Sequence, residues 1–279
     1  MKKEEIEFFD IHSHLHSDFF KEDSKKVIKE MQEKNIWTIS IGVDIEDSKK
    51  AVNLARENEN IFSTIGQHPL DNPSEIWVEE KYQKLLNENI GNIVGIGECG
   101  LDYYWPKKDL ESGKISEEDF FEEKIRQKIL FKKQIDFSQK NNLPLMLHIR
   151  SFENGDAHKD ALEILDEKQK EFDGKIRANF HFYTETVNIT REILKRGYSI
   201  SFPGVITFAN IDDSIKETPL EKIMSETDSP FATPKPHRGK TNTPIFVEEI
   251  VKKIAEVKNL DFKKVKKQMI KNALNFWGI

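Results

Sequence analysis

Eight short runs of apolar, β-branched and aromatic residues recur along the chain, at 6–11, 36–43, 61–66, 93–97, 143–148, 176–181, 198–202 and 222–227. Between them lie stretches with apolar residues at helical spacing, among them 24–34, 47–58, 118–141, 157–170 and 186–196. Strands that alternate with helices in this way run parallel, because each helix carries the chain back across the sheet. Eight such units in 279 residues, near the ~250 typical of the architecture, predict one (β/α)8 TIM-type barrel over residues 1–279. No GxGxxG or GxxxxGK[ST] loop follows the first run, which counts against a nucleotide-binding doubly wound sheet. The interruptions at 105–118 and 151–155 follow the fourth and fifth runs, at the end where a barrel carries its active site. They are read as loop elaborations.

A barrel directs attention to the carboxyl ends of its strands. The first run leads into Asp10-Ile11-His12-Ser13-His14, where residues two apart present two imidazoles on one face, as a divalent transition metal requires. His16 is read as an ordinary polar strand-end residue. The fourth run leads into Gly97-Glu98-Cys99-Gly100, a carboxylate directly after an apolar strand. The fifth ends in His148-Ile149-Arg150, the sixth in His181, and the eighth in Glu226-Thr227-Asp228 ahead of Pro230. Each alone has a bland reading as a satisfied histidine or a salt-bridged acid. Together, His12, His14, Glu98, His148, His181 and Asp228 fall on the one face where distant parts of a barrel converge. The sole cysteine, Cys99, excludes an intrachain disulfide and a four-thiolate zinc site, while imidazole and carboxylate donors suit Zn, Mn, Fe or Ni. Six donors exceed the need of one tetrahedral ion that keeps a water, so the set implies two ions with Glu98 shared between them.

The strings DIHSHLH, GQHPLD, GIGECGLDYY, LHIR, HFYTE, ETDSPF and PHRGKTNTP, in this order, carry a family resemblance. From Phe9 to Asn275 the chain resembles the TatD family of metal-dependent deoxyribonucleases, within the amidohydrolase superfamily. The resemblance implies a TIM-type barrel with two divalent ions (Mg, Mn or Zn). The implied substrate is DNA, single-stranded or end-exposed, cleaved exonucleolytically or endonucleolytically at its phosphodiester bonds. Carried over position by position, it implies that His12, His14 and Asp228 hold the first ion, that Glu98 bridges, and that His148 and His181 hold the second. Arg238, Asn242 and Pro244 keep the family's order. One departure follows His181: Phe182-Tyr183-Thr184-Glu185 stands where the family commonly has a small-residue turn ending in glycine, so a different local loop is expected.

Catalytic roles are assigned to Asp228, as general base, and to Glu98, as bridging ligand. Substrate contacts are assigned to Arg150 and Arg238, two of only seven arginines, as bidentate phosphate donors, and to His68 at the end of the third strand. Tyr103, Tyr104 and Trp105 are candidates for stacking on an exposed base. Phe8 and Phe9, with most of the 19 phenylalanines, are assigned to the core, and the lysine-rich stretch 263–267 to the solvated face of the last helix. Acidic residues outnumber basic ones 49 to 43, for a formal charge of −6, so any grip on phosphate must be local. Many relatives in the superfamily bridge their metals through a carboxylated lysine on the fourth strand, and 93–101 contains no lysine. Alternatives are the same site acting on another ester or acyl bond, as in an aminoacyl-RNA deacylase or small-molecule metallohydrolase, or a non-catalytic scaffold. With no run of ~18 apolar residues and no secretory leader, a cytoplasmic protein without membrane contact or obligatory protein partner is expected.

Overall fold

The computed structural model describes residues 6–279 apart from 22, 71 and 154. The N-terminal residues 1–5, Asp71 of the GQHPLD string and Asn154 of the 151–155 interruption therefore lie outside the described residues. Eight strands, β1 (Phe8–Ser13), β2 (Ile36–Ile41), β3 (Ile61–Ile65), β4 (Ile93–Asp102), β5 (Leu145–Arg150), β6 (Ala178–Phe180), β7 (Ser199–Phe202) and β8 (Ile223–Ser225), form one sheet in sequential order. Every neighbouring pair is parallel. The intervening helices are α1 (Ser24–Glu33), α2 (Ile45–Glu57), α3 (Glu79–Glu88), α4 (Tyr104–Glu111), α5 (Glu117–Lys140), α6 (Asp156–Gln169), α7 (Val187–Lys195) and α8 (Asp212–Glu217). Helices α9 (Val247–Lys258) and α10 (Phe262–Trp277) follow β8. This is the TIM-type barrel expected. β8 is short, and the seam to β1 is closed beyond it by His14 N–H to Ser229 O at 2.8 Å and Asp228 N–H to His12 O at 2.9 Å.

Strand parity sorts the core into two layers. Leu145, Leu147, Ile200, Phe202 and Ile223 pack outward with helix residues such as Phe131 and Leu165, whereas Phe9, Ile11, Trp37, Ile39, Met146 and Met224 form a second cluster in the lumen. His148 shares the inward parity of Met146. His181 shares that of Asn179, whose amide lies 3.7 Å from the Met146 sulfur. For these two histidines the strand periodicity that builds the barrel also turns the ligand toward its axis; His12 has the parity of outward-packed Phe8, and the register of β1 shifts between Asp10 and Ser13.

Three expectations are corrected. The fourth strand does not stop at 97: β4 continues to Asp102 through a register shift between Ile96 and Cys99, so Glu98 lies inside the strand. The 105–118 interruption is largely helical, because Tyr104 to Glu111 form α4 and Ser116 opens α5 with a capping box, its side chain accepting from Asp119 N–H while the Asp119 carboxylate accepts from Ser116 N–H. Phe8 and Phe9 are buried, but most phenylalanines are not in the fully buried core; Phe19, Phe121, Phe208 and Phe231 are exposed. Lys263, Lys264 and Lys267 are exposed on α10, as a solvated helix face requires. Among the described residues no helix is long and apolar enough to cross a membrane.

Candidate metal centre

Glu98 stands between two groups of histidines and turns one carboxylate oxygen to each. Its Oε2 lies 3.5 Å from His12 Nε2 and 3.8 Å from His14 Nε2. Its Oε1 lies 2.9 Å from His148 Nδ1 and 2.7 Å from His181 Nε2. The first pole is completed by Asp228, whose Oδ1 is 3.4 Å from His12 Nε2 and 3.6 Å from His14 Nε2, the two nitrogens themselves being 3.3 Å apart. Ligands ~2.0–2.1 Å from a tetrahedral ion stand about 3.3 Å from one another. Two imidazole nitrogens aimed at each other, with two carboxylate oxygens at that spacing, are a donor set that fits a divalent cation. At the second pole the spacings are those of hydrogen bonds, and the same three groups, Glu98, His148 and His181, converge.

Residues around the ligands hold their orientation. His14 Nδ1 faces the Ile41 carbonyl oxygen at 3.0 Å, which makes Nδ1 the donor and leaves the Nε2 lone pair to the centre. Asp102, at the end of β4, reaches His148 Nε2 at 3.0 Å and accepts the N–H groups of Tyr104 and Trp105, so it also starts α4. Glu226 accepts Phe182 N–H and the Ser201 hydroxyl and lies 3.5 Å from His181 Nδ1. Asp10 accepts from His12 N–H, Thr38 Oγ1 and both Thr227 donors, tying β1 to β2 and to the end of β8. Asp228 itself sits at φ 54°, in the left-handed region. Buried Asn242 donates to the Thr227 and Phe231 carbonyls at 2.8 and 2.6 Å, bracing the strained turn that aims Asp228.

The electrostatics follow from burying acids among imidazoles. Burial alone would raise the Glu98 carboxyl, but His181 and His12 pull it well below the usual carboxylate range. Burial opposes charge on His14, yet the hydrogen bond to Asp228 and the charges of Glu98 and Asp228 lift it to about 9. His148 likewise rises to about 9 against its burial, through Asp102 and Glu98, and His181 rises well above its ordinary value through Glu98 and Glu226. His12, fully buried and beside His181, is lowered. The acids thus favour the protonated forms of His14, His148 and His181, and an ion bound here would compete with protons for the same nitrogens.

The six residues expected as ligands are therefore brought together, and among the described residues three groups could hold a metal: His12 with His14 and Asp228, His12 with His181 and Glu226, and His68 with Glu98 and His148. Among the substrate residues, His68 lies in the cleft with Nε2 3.9 Å from Glu98 Oε1, and its Nδ1 accepts Leu70 N–H. Arg150 lines the cleft, its guanidinium 4.1 Å from the Tyr104 ring centroid. Arg238 is not in the cleft wall; it lies over the Phe208 ring and donates to Thr233 O. The aromatic trio divides: Tyr103 is fully buried with its hydroxyl on Asp160, while Tyr104 and Trp105 line the cleft. His16 is satisfied by Ser40 at 2.7 Å and Asp47 at 2.9 Å. Glu185, the departure from the family pattern, also lines the cleft, near His158 and Ser151, and burial raises its carboxyl. Sequence reasoning assigned no role to Asp10, Asp102 or Glu226. The available signal was their place in the quoted strings, two to four residues from a ligand.

Comparison with known proteins identifies the family. The family model described as TatD related DNase matches residues 9–278. The chain is 32% identical to the uncharacterized metal-dependent hydrolase YabD of Bacillus subtilis, covering 97% of this chain and 99% of that protein. It is 33% identical to the uncharacterized metal-dependent hydrolase MG009 of Mycoplasma genitalium, covering 98% and 100%. Its fold is similar to the crystal structure of YJJV, a TatD homolog from Escherichia coli, with a TM-score of 0.83, 20% identity and 98% coverage of both chains. By sequence across nearly its whole length, then, the chain belongs to the TatD family.

Proposed function

We propose that this chain is a metal-dependent hydrolase that cleaves the phosphodiester bonds of DNA, acting on a single-stranded or end-exposed strand. The observation that carries the reading is the split carboxylate of Glu98, one oxygen to His12 and His14 and the other to His148 and His181. It is the arrangement in which one acid serves two cation sites, and the family description and the names of the relatives support it. His12, His14 and Asp228 would hold one ion, His148 and His181 the other, with Glu98 common to both. Divalent ions bound there supply Lewis acidity toward a phosphoryl group and favour ionisation of water.

The chain's own residues do the rest. Asp228 shares Oδ1 with the first histidine pair and can take the proton of the attacking water on Oδ2. Arg150 presents a permanently charged fork to a phosphate oxygen at the cleft wall. His68 faces the space beside Glu98 and His148, where substrate oxygens would lie. A net charge of −6 gives no broad attraction for DNA, so this local set must supply it. Glu185 favours a second reading: a carboxylate in the cleft wall suits an amine better than a phosphate, as in an aminoacyl ester.

The test is digestion of end-labelled single-stranded and duplex DNA, and of an aminoacyl ester, in Mg2+, Mn2+ or Zn2+, with and without chelator, beside Glu98→Gln. Metal-dependent cleavage of DNA that the variant loses is expected. Activity retained in Glu98→Gln would reject the shared-ligand site, and ester hydrolysis without DNA cleavage would select the second reading.

A further inference from the structure

Exposed apolar side chains are ordinary when scattered and informative when they cluster. Among the described residues, Phe19, Trp105 and Phe231 are 70, 53 and 49% exposed, and all three line the cleft that contains Glu98, His148 and Asp228. They come from three separate places: the segment between β1 and α1, the first turn of α4, and the turn after β8. Phe19 meets Phe231 edge to face with ring centroids 5.7 Å apart, and Phe231 meets His14 at 6.2 Å, so this pair adjoins the His12–His14–Asp228 pole. Trp105 meets Tyr104 edge-on at 5.2 Å, and the Arg150 guanidinium lies over both rings, at 4.1 Å from Tyr104 and 5.4 Å from Trp105. Arg150 pairs in register with Asp102, which holds His148, so this second wall adjoins the other pole.

We propose that the two walls are stacking slots for consecutive unpaired nucleobases, one against Phe231 and Phe19 and its neighbour against Trp105, with the phosphate between them presented to the Glu98 cluster. The inference rests on the phosphodiester reading above and assigns the residues that select the strand. Within a duplex both faces of an internal base are covered by its neighbours, so two consecutive bases can meet separate rings only where they are unpaired. The cleft, about 820 Å³, is of the size that takes a small ligand and not a double helix. Arg150, its guanidinium over the Tyr104 and Trp105 rings, carries a charged N–H fork that a flanking phosphate can meet. Packing does not account for these rings. Tyr103, two residues before Trp105, shows what a packing aromatic does here: it is fully buried with its hydroxyl satisfied.

Trp105 supplies its own probe, because Trp37, Trp77 and Trp277 are buried. Tryptophan fluorescence of the metal-loaded protein is titrated with a phosphorothioate oligothymidylate, slow to hydrolyse, and with an abasic oligomer of equal phosphate number. Saturable quenching by the first and not by the second is expected, and Trp105→Phe abolishes the signal. In parallel, kcat/KM is measured on an oligothymidylate and on the abasic strand for Trp105→Ala, Phe231→Ala and the ring-retaining Trp105→Phe and Phe231→Tyr. Each alanine variant is expected to lose about 10-fold on the base-bearing strand and nothing on the abasic one, with the ring-retaining variants near wild type. Equal losses on both strands, or equal quenching by both oligomers, would overturn the proposal. If the wild type cleaves neither strand in any metal, the phosphodiester reading fails, and the quenching comparison alone decides whether the walls bind bases.

Discussion

Glu98 is the residue on which both poles depend, and replacing it with glutamine keeps its volume while removing the charge that holds four imidazoles. The expected outcome is a fall in bound metal together with a loss of activity of at least ~100-fold, read by elemental analysis and initial rates. Asn242 lies farther from the chemistry but braces the turn beneath Asp228. Asn242→Ala removes two buried hydrogen bonds and should cost roughly 2–4 kcal/mol in urea unfolding, with a lower turnover number at unchanged metal content. His158 gives a pH signature away from the ligands. Burial, then the charge of His148, holds its imidazole down at about 3, against ~6.5 in an unfolded chain. Between those values the unfolded chain binds a proton that the folded one refuses, so stability is present above ~6.5 and is lost as the pH falls toward 3. In chelator, His158→Asn should therefore lose less stability than wild type from pH 7 to pH 5, by roughly 2 kcal/mol; parallel losses would reject the assignment. At this scale the inward-facing donors were legible, because an imidazole or carboxylate directly after an apolar strand has few other reasons to be there. Asp10, Asp102 and Glu226 were not, since an acid that braces a ligand reads in sequence like any acid near a strand end. Arg238, assigned to substrate because it follows a ligand segment, lies over Phe208 and outside the cleft wall, a placement that sequence position alone does not reveal.

Among the elements, β4 departs furthest from what its sequence suggested. An apolar run followed by Gly97-Glu98-Cys99-Gly100 reads as a strand that has ended, because glycine weakens strand interiors. The structure keeps the strand because Gly97 and Gly100 adopt φ 146° and 141° with β5 backbone close by. A Cβ on Gly100 would stand 2.1 Å from the His148 carbonyl oxygen, and one on Gly97 would stand 2.5 Å from that of Met146. Gly100→Ala is therefore expected to destabilise by about 3 kcal/mol, combining overpacking with backbone strain, whereas Gly174→Ala, with open space around it, should be near neutral. Thermal melts of the two variants decide this. α4 was missed for a related reason: Pro106 and Gly113 in a charged, low-periodicity stretch mark a loop, while the helix is started from outside by the Asp102 carboxylate accepting the Tyr104 and Trp105 N–H groups. The cap lies only two and three residues from the groups it satisfies, but it belongs to the end of β4, a strand that its sequence suggested had ended at 97.

For the whole molecule, the alternation of strand and helix was enough to identify the barrel, because eight parallel units leave few ways to bury both faces of the sheet. The exact ends of strands were less legible, since the seam and the register shift depend on partners far apart in sequence. Metal couples to the global fold as well as to the site. An ion that binds the folded cluster and not the open chain stabilises by mass action, about 2.7 kcal/mol at a hundred times its dissociation constant, so chelation should lower the melting temperature by several degrees. An unchanged melt would mean that no ion is held by the native cluster. The seam between β1 and β8 sets a further condition. His12 and His14 lie at one end of the barrel circuit and Asp228 at the other, and the hydrogen bonds that close the ring also seat that aspartate. On the ribosome, no nascent chain shorter than 228 residues contains the complete first pole, and until the last strand docks its donors remain apart. Synthesis itself thus withholds hydrolytic competence until the barrel has closed.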